Sequence, residues 1–280
     1  MRGCEITALF EREKMYPQHE KAIQNLIERF RNDPEVLAVI LGGSIAKGLE
    51  RPDSDVDAIV VVTPERYERQ RAEHKITECV FEGCDYPGGY FDLKYYTKEY
   101  LAAAADRGSE PTRYAYTHAR CLFARDSEIE GIVARLDVFQ KREQKEKMKS
   151  FYAAFRLYSG YFWQSSCKTG NIYLKVRSAS ATVLYGLRMI LQEAEVLFPC
   201  QKNLMQAVRD LPEEKKPARI VELAEEFLKT MDPALEEKFV KAIRDFITYR
   251  PDGDYNSVVS RFIEDQEEWW YRERPYIEEW

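Results

Sequence analysis

The sequence predicts an α+β half followed by an all-helical bundle domain, and three observations carry that reading. The first half alternates helix-period and strand-period segments. A glycine-rich bend and an acidic pair punctuate it between two apolar runs. From Lys141 onward no segment has a strand's period, and only long amphipathic stretches remain. The boundary is therefore placed at residue 140, giving domains over 1–140 and 141–280.

Within the first half, His19–Arg31 spaces Ala22, Ile23, Leu26, Ile27 and Phe30 as one buried helical face, ended by Asn32-Asp33-Pro34. Val36–Leu41 is a short β-branched run closed by Gly42-Gly43 and predicts a buried strand. A second strand is predicted over Asp55–Thr63, after the turn Arg51-Pro52-Asp53-Ser54, with further strands over Ile76–Phe81 and Tyr90–Tyr96. Helices are expected at Lys98–Ala105 and Glu110–Ala119, a short strand at Cys121–Ala124 and a helix at Glu128–Leu136. In the second half the periodicity predicts helices over 148–163, 173–197, 218–231, 235–249 and 258–271. The charged run Lys141–Lys147 is expected to open the first of them.

Composition narrows the functional classes. The 280 residues are 45% apolar, with 4 Trp, 18 Tyr and 14 Phe, enough to build a core and too apolar for a disordered chain. Residues 1–140 hold 19 basic and 25 acidic groups and residues 141–280 hold 23 of each, so neither half offers the cationic footprint of a long nucleic acid. No apolar run approaches the roughly 20 residues that span a bilayer, so no membrane segment is expected. Met1–Phe10 carries Arg2 and Glu5 and lacks a secretory apolar core. The six cysteines form no Cys-x-x-Cys pair and read as reduced, buried thiols of a cytoplasmic protein.

One stretch carries the chemistry. Leu41-Gly42-Gly43-Ser44-Ile45-Ala46-Lys47-Gly48 reads as a strand exit, a glycine bend and a short helix. Asp53-Ser54-Asp55-Val56-Asp57 then opens the next strand. Glycines let backbone N–H groups approach a ligand, and a helix opening at Ser44 aims free N–H groups at an anion, most often phosphate. A Walker A loop fails here because Leu49 stands where its lysine belongs. On a strand, Asp55 and Asp57 project from one face about 6.6 Å apart along the chain, a spacing that can grip one divalent ion or straddle two. Hard oxygen ligands favour Mg2+ or Mn2+ over zinc. Val56, Ala58, Val60 and Val62 form the opposite face, as in a strand buried on one side. Asp53 is in phase but lies in the turn. Asp252-Gly253-Asp254 repeats the spacing with no apolar run after it. It also fails as a calcium loop, because Ile263 occupies the twelfth position.

In order and spacing, Gly42-Gly43-Ser44 followed by Asp55-Val56-Asp57 resembles the signature of the DNA polymerase β superfamily of nucleotidyltransferases. The resemblance covers about residues 36–97 and implies a mixed-sheet nucleotidyltransferase fold. It also implies a third carboxylate on a later strand, for which Asp92 in Tyr90-Phe91-Asp92-Leu93-Lys94 is the candidate. A catalytic module followed by a helical, substrate-binding domain looks like the small-molecule branch, which includes aminoglycoside and lincosamide nucleotidyltransferases. The resemblance implies transfer of a nucleoside monophosphate, most often AMP from ATP, to a hydroxyl of a small-molecule acceptor, with release of pyrophosphate. Asp55, Asp57 and Asp92 would hold Mg2+ or Mn2+, with Asp92 alternatively the general base. Gly42, Gly43, Ser44 and Lys47 would meet the triphosphate. Two other readings stay open at this point, a protein-nucleotidylating enzyme of antitoxin type and a non-catalytic nucleotide-binding regulator.

Other charged groups have duller expectations beside functional ones. Arg51, Lys175 and Arg177 could reach a nucleotide or simply be solvated. Lys94 could pair with Asp92. Glu193 or Glu195 could serve an acceptor. His19, His74 and His118 show no ligand spacing. The segment from Asp265 to Trp280, with six acids, two Arg and three Trp, could attract a cationic sugar or cap the bundle.

Overall fold

The computed structural model describes residues 15–280, which divide into two compact units. One comprises the described residues up to Gly108 together with Thr112–Val138; the other comprises Ser109–Pro111 and Phe139–Trp280.

In the first unit, α1 (Pro17–Arg31) starts with proline at its first turn and buries His19, Ala22, Ile23, Leu26, Ile27 and Phe30. Then follow β1 (Val36–Leu41), α2 (Gly43–Lys47), β2 (Val56–Val62), α3 (Pro64–Ala72), β3 (Thr77–Val80) and β4 (Phe91–Tyr96). The unit continues with α4 (Lys98–Arg107), the part of α5 (Glu110–Tyr114) from Thr112 onward, β5 (Arg120–Ala124) and α6 (Glu128–Leu136). The strands form one mixed sheet in the order β3-β4-β2-β1-β5, with only β2 and β4 parallel. Both faces of the sheet are covered. Val56, Ala58, Val60 and Val62 pack with α1, while Ile59 and Val61 pack with Leu101, Ala104, Ile129, Ile132 and Leu136 from α4 and α6. The expectation of a strand buried on one side is thus corrected, because helices flank β2 on both sides. Within β2 only Asp57 is less than fully buried.

Two further expectations change. The helix predicted over Glu110–Ala119 stops at Tyr114, and the chain continues in successive turns with His118 at φ 58° before entering β5. Helix α3 has no buried residue, so it leaves no apolar periodicity in the sequence. Its Pro64 at the first turn and the Thr63 hydroxyl, which accepts the Arg66 N–H, mark its start instead.

The second unit packs α7 (Gln144–Leu157), α8 (Trp163–Thr169), α9 (Ile172–Ala194), α10 (Leu204–Arg209), α11 (Ile220–Thr230), α12 (Pro233–Phe246) and α13 (Tyr255–Gln266) around one core. Helix α9 is its axis and is buried almost all round from Ser178 to Ala194. Of the charged run Lys141–Lys147, the first three residues form a single tight turn, Lys141–Glu143, and the rest opens α7. The helix predicted over 148–163 is interrupted by a π-turn at Tyr158–Phe162. A buried polar knot sits in this core. Glu110 accepts from Lys147 Nζ (3.0 Å), Arg188 Nη2 (3.3 Å), Gln192 Nε2 (2.6 Å) and the Phe198 N–H (3.1 Å).

No helix among the described residues is long and apolar enough to cross a membrane. The cysteines are only partly as expected. Cys84 is buried, Cys121 and Cys200 are half-buried, and Cys79 and Cys167 are exposed, all as free thiols. Cys4 lies outside the described residues.

Candidate active site

The end of β1 and the starts of β2 and β4 meet at one end of the first unit's three central strands. Antiparallel pairing sets Leu41 opposite Ala58, and the Gly42 N–H donates to the Asp57 carbonyl at 3.0 Å. The next residue, Gly43, turns with φ +65°, the left-handed region that glycine enters without cost. A Cβ there would lie 1.8 Å from Asp57 Oδ2, so the backbone of the bend presses directly on that carboxylate. Helix α2 follows and closes on Gly48, also left-handed at φ 68°.

The three acids converge. Parallel pairing puts Asp57 beside Asp92, and Asp55 lies two residues before Asp57 on the same strand phase. Their carboxylate oxygens lie within 4.8 Å of one another, and all three side chains are half-buried. The electrostatic consequence falls on Asp57. Burial first, then the charges of Asp55 and Asp92, push its carboxyl up to about 6, while Lys94 and Lys47 act in the opposite sense. Lys94 Nζ stands 4.0 Å from Asp92 Oδ2, the pairing read as an alternative in the sequence. A cluster of hard oxygen donors, held together at a cost in mutual repulsion beside a backbone cradle that a Cβ would fill, fits a divalent cation such as Mg2+.

The turn before β2 is clasped from several sides, and this fixes Asp55. Tyr86 donates its hydroxyl to the Ser54 carbonyl (2.8 Å), Gln18 donates to the Pro52 carbonyl (3.1 Å), and Ser54 Oγ accepts the Arg51 N–H (2.9 Å). His19, buried at the start of α1, packs edge-on against the rings of Tyr16 and Tyr86. The Asp55 carboxylate beside Tyr90 pushes its phenol up to about 12. Tyr90 went unrecognised in the sequence, although it shares the strand phase of Asp92. Tyr86 and Gln18 had no sequence signal, because only the folded turn brings them to residues 52–54.

The remaining candidates scatter. Asp53 is exposed and pairs with Arg51 at 3.1 Å, outside the acidic cluster. Lys47 lies 3.9 Å over the Tyr114 ring. In the helical unit, Lys175 lies over the Trp163 ring and Arg177 pairs with Glu278. Glu193 accepts from the Thr248 and Tyr249 N–H groups, and Glu195 pairs with Lys141. Asp254 caps α13, as expected of a solvated acid. The C-terminal segment caps the bundle through Arg188, which donates to the Ile277 (2.9 Å), Glu278 (3.0 Å) and Trp280 carbonyls.

The nucleotidyltransferase domain family matches residues 23–85, a span that contains the glycine bend, Asp55 and Asp57. Asp92 lies just past its end. No curated protein matches the chain. Among solved structures, a nucleotidyltransferase-like protein from Exiguobacterium sibiricum 255-15 is similar at 12% identity. The match covers 91% of this chain and 80% of that one, with a TM-score of 0.46. Residues 23–85 thus match a nucleotidyltransferase domain, and that match supports nucleotidyl transfer as the general activity.

Proposed function

We propose that this protein transfers a nucleoside monophosphate, AMP from ATP, to a hydroxyl of a small-molecule acceptor, with Mg2+ (or Mn2+) as the metal. The observation that carries this reading is the convergence of Asp55, Asp57 and Asp92 on the Gly43 bend. Asp55 and Asp57 would hold the cation, with Asp92 completing the set. When bound, it would supply positive charge to neutralise the phosphate oxygens, which is most of what this class of reaction requires. Gly42, Gly43 and Ser44 offer backbone N–H groups to the triphosphate, and Lys47 adds positive charge nearby. The acceptor oxygen bonds to the α-phosphorus, the bond from that phosphorus to the β-phosphate oxygen breaks, and pyrophosphate departs with the electron pair. Asp92, if free of metal, takes the hydroxyl proton.

The net acidic first half and the balanced second half favour a small acceptor over a long nucleic acid. The helical unit, residues 141–280 in the sequence reading, is proposed to bind the acceptor, and the protein is proposed to work in the cytoplasm without a membrane partner. The capping role of the acidic C-terminal segment leaves less support for a cationic-sugar lure there.

The test incubates the full chain with ATP labelled at the α-phosphate, Mg2+ and a panel of aminoglycosides, lincosamides and candidate proteins, alongside Asp57→Ala. Label on a small molecule, lost in the variant, supports the proposal. Label on a protein indicates the antitoxin-type reading, and nucleotide binding without transfer to either indicates a regulator.

A further inference from the structure

The helical unit contains a cavity of about 620 Å³ between the π-turn region and α12, within the size range of small-molecule sites. Its lining carries charges that the protein leaves uncompensated. Glu236 is 9% exposed, yet its carboxylate makes no hydrogen bond or ion pair among the described residues. Arg156, half-buried on the facing wall, and Arg244 likewise have no acidic partner among them. The opposite charges of Glu236 and Arg156 share one cavity without meeting. By contrast, Lys241 at the same site is spent on Asp245, and Arg250 donates to the Ile247 and Tyr249 carbonyls. Glu237 adds a second, exposed carboxylate to the lining. A buried carboxylate without a partner is costly, so a cavity that keeps Glu236 unpaired beside the half-buried Arg156 is shaped by something other than stability.

The backbone points the same way. Helix α7 passes into its π-turn at Tyr158–Phe162, and such single-turn bulges recur at functional sites. Ser159 and Gly160 of that turn line the cavity, and a Cβ at Gly160 would meet nothing within 4 Å, so the bulge opens space at this wall.

We propose that this cavity binds a small molecule bearing one phosphate or carboxylate group and a neighbouring hydrogen-bond donor. The guanidiniums of Arg156 and Arg244 take the anion, and the Glu236 carboxylate accepts from the donor. The inference does not rest on the proposed transfer reaction.

Calorimetric titration of the full chain, without metal and at low salt, tests it with glycerol 3-phosphate, glycerate, inorganic phosphate and glycerol. Glycerol 3-phosphate or glycerate should bind at least about tenfold more tightly than glycerol, and which of the two binds identifies the anion. Arg244→Ala, an exposed change that keeps the fold, should weaken that binding about tenfold, as should Arg156→Ala. Glu236→Gln should weaken the anionic polyol while leaving inorganic phosphate unchanged. Binding of neither polyol anion, or binding that survives both arginine changes, overturns the proposal. Equal loss in Asp57→Ala also overturns it, since the anion would then sit at the glycine bend.

Discussion

Gly43 and Asp57 occupy a space that admits no further carbon: a Cβ on residue 43 would stand 1.8 Å from Asp57 Oδ2. The glycine bend and the Asp57 carboxylate are therefore one packed unit. Gly43→Ala has to strain a left-handed backbone, costing about 1–2 kcal/mol, and also displace the Asp57 carboxylate. The expected result is a stable but nearly inactive protein with weakened metal binding, checked by melting temperature, metal titration and transfer rate. Gly48→Ala makes the control. Its φ of 68° carries the same backbone strain, but a Cβ there meets nothing within 4 Å, so activity should persist.

Asp57 also gives the site a pH signature. Its carboxyl titrates at about 6 in the folded chain against 3.8 for the free side chain. The folded state thus holds the extra proton, so the group's contribution to stability is full below about pH 4 and is lost as pH rises through 6. For the metal-free protein, Asp57→Asn should be more stable than the wild type at pH 8, by an amount on the order of 2 kcal/mol after solvent screening. The difference should vanish at pH 4. Thermal melts with and without chelator check this, and added Mg2+ should raise the melting temperature of the wild type alone.

For catalysis, Asp57→Ala should lower transfer by about 10³-fold or more, the scale set by several kcal/mol of lost charge stabilisation. Circular dichroism should show the fold retained. Undiminished pyrophosphate release by this variant would remove Asp57 from the mechanism.

In the helical unit, Glu110 satisfies four donors from a site only 1% exposed. Glu110→Ala takes from the buried Arg188 its carboxylate and leaves Lys147 only Glu143, which should cost about 3–5 kcal/mol. Denaturant unfolding measures the loss directly, and a loss below about 1 kcal/mol would contradict this account of the knot.

Much of this was legible in the sequence, for identifiable reasons. Period and punctuation revealed β1, β2, β4, α6 and the long helices, because each buries a regular apolar face. Asp55, Asp57 and the Gly42–Ser44 bend were legible because local spacing alone places them. Asp92 required a resemblance to a known family, since no local rule says that β4 pairs parallel to β2 with Asp92 beside Asp57. Helix α3 was invisible because it buries nothing, and the π-turn because a bulge leaves apolar content unchanged. Tyr86, Gln18 and Glu110 act through partners at least 32 residues away in sequence, so only the folded chain reveals them.

The central claim is that three carboxylates beside one glycine bend hold a divalent ion against a nucleotide. The most direct measurement is a crystal structure of the chain with Mn2+ and a non-hydrolysable ATP analogue, located by anomalous scattering. The account predicts a manganese peak in contact with Asp55 and Asp57, with the triphosphate lying along Gly43 and Ser44. A nucleotide bound elsewhere, or manganese absent from that cluster while the nucleotide is present, would contradict it.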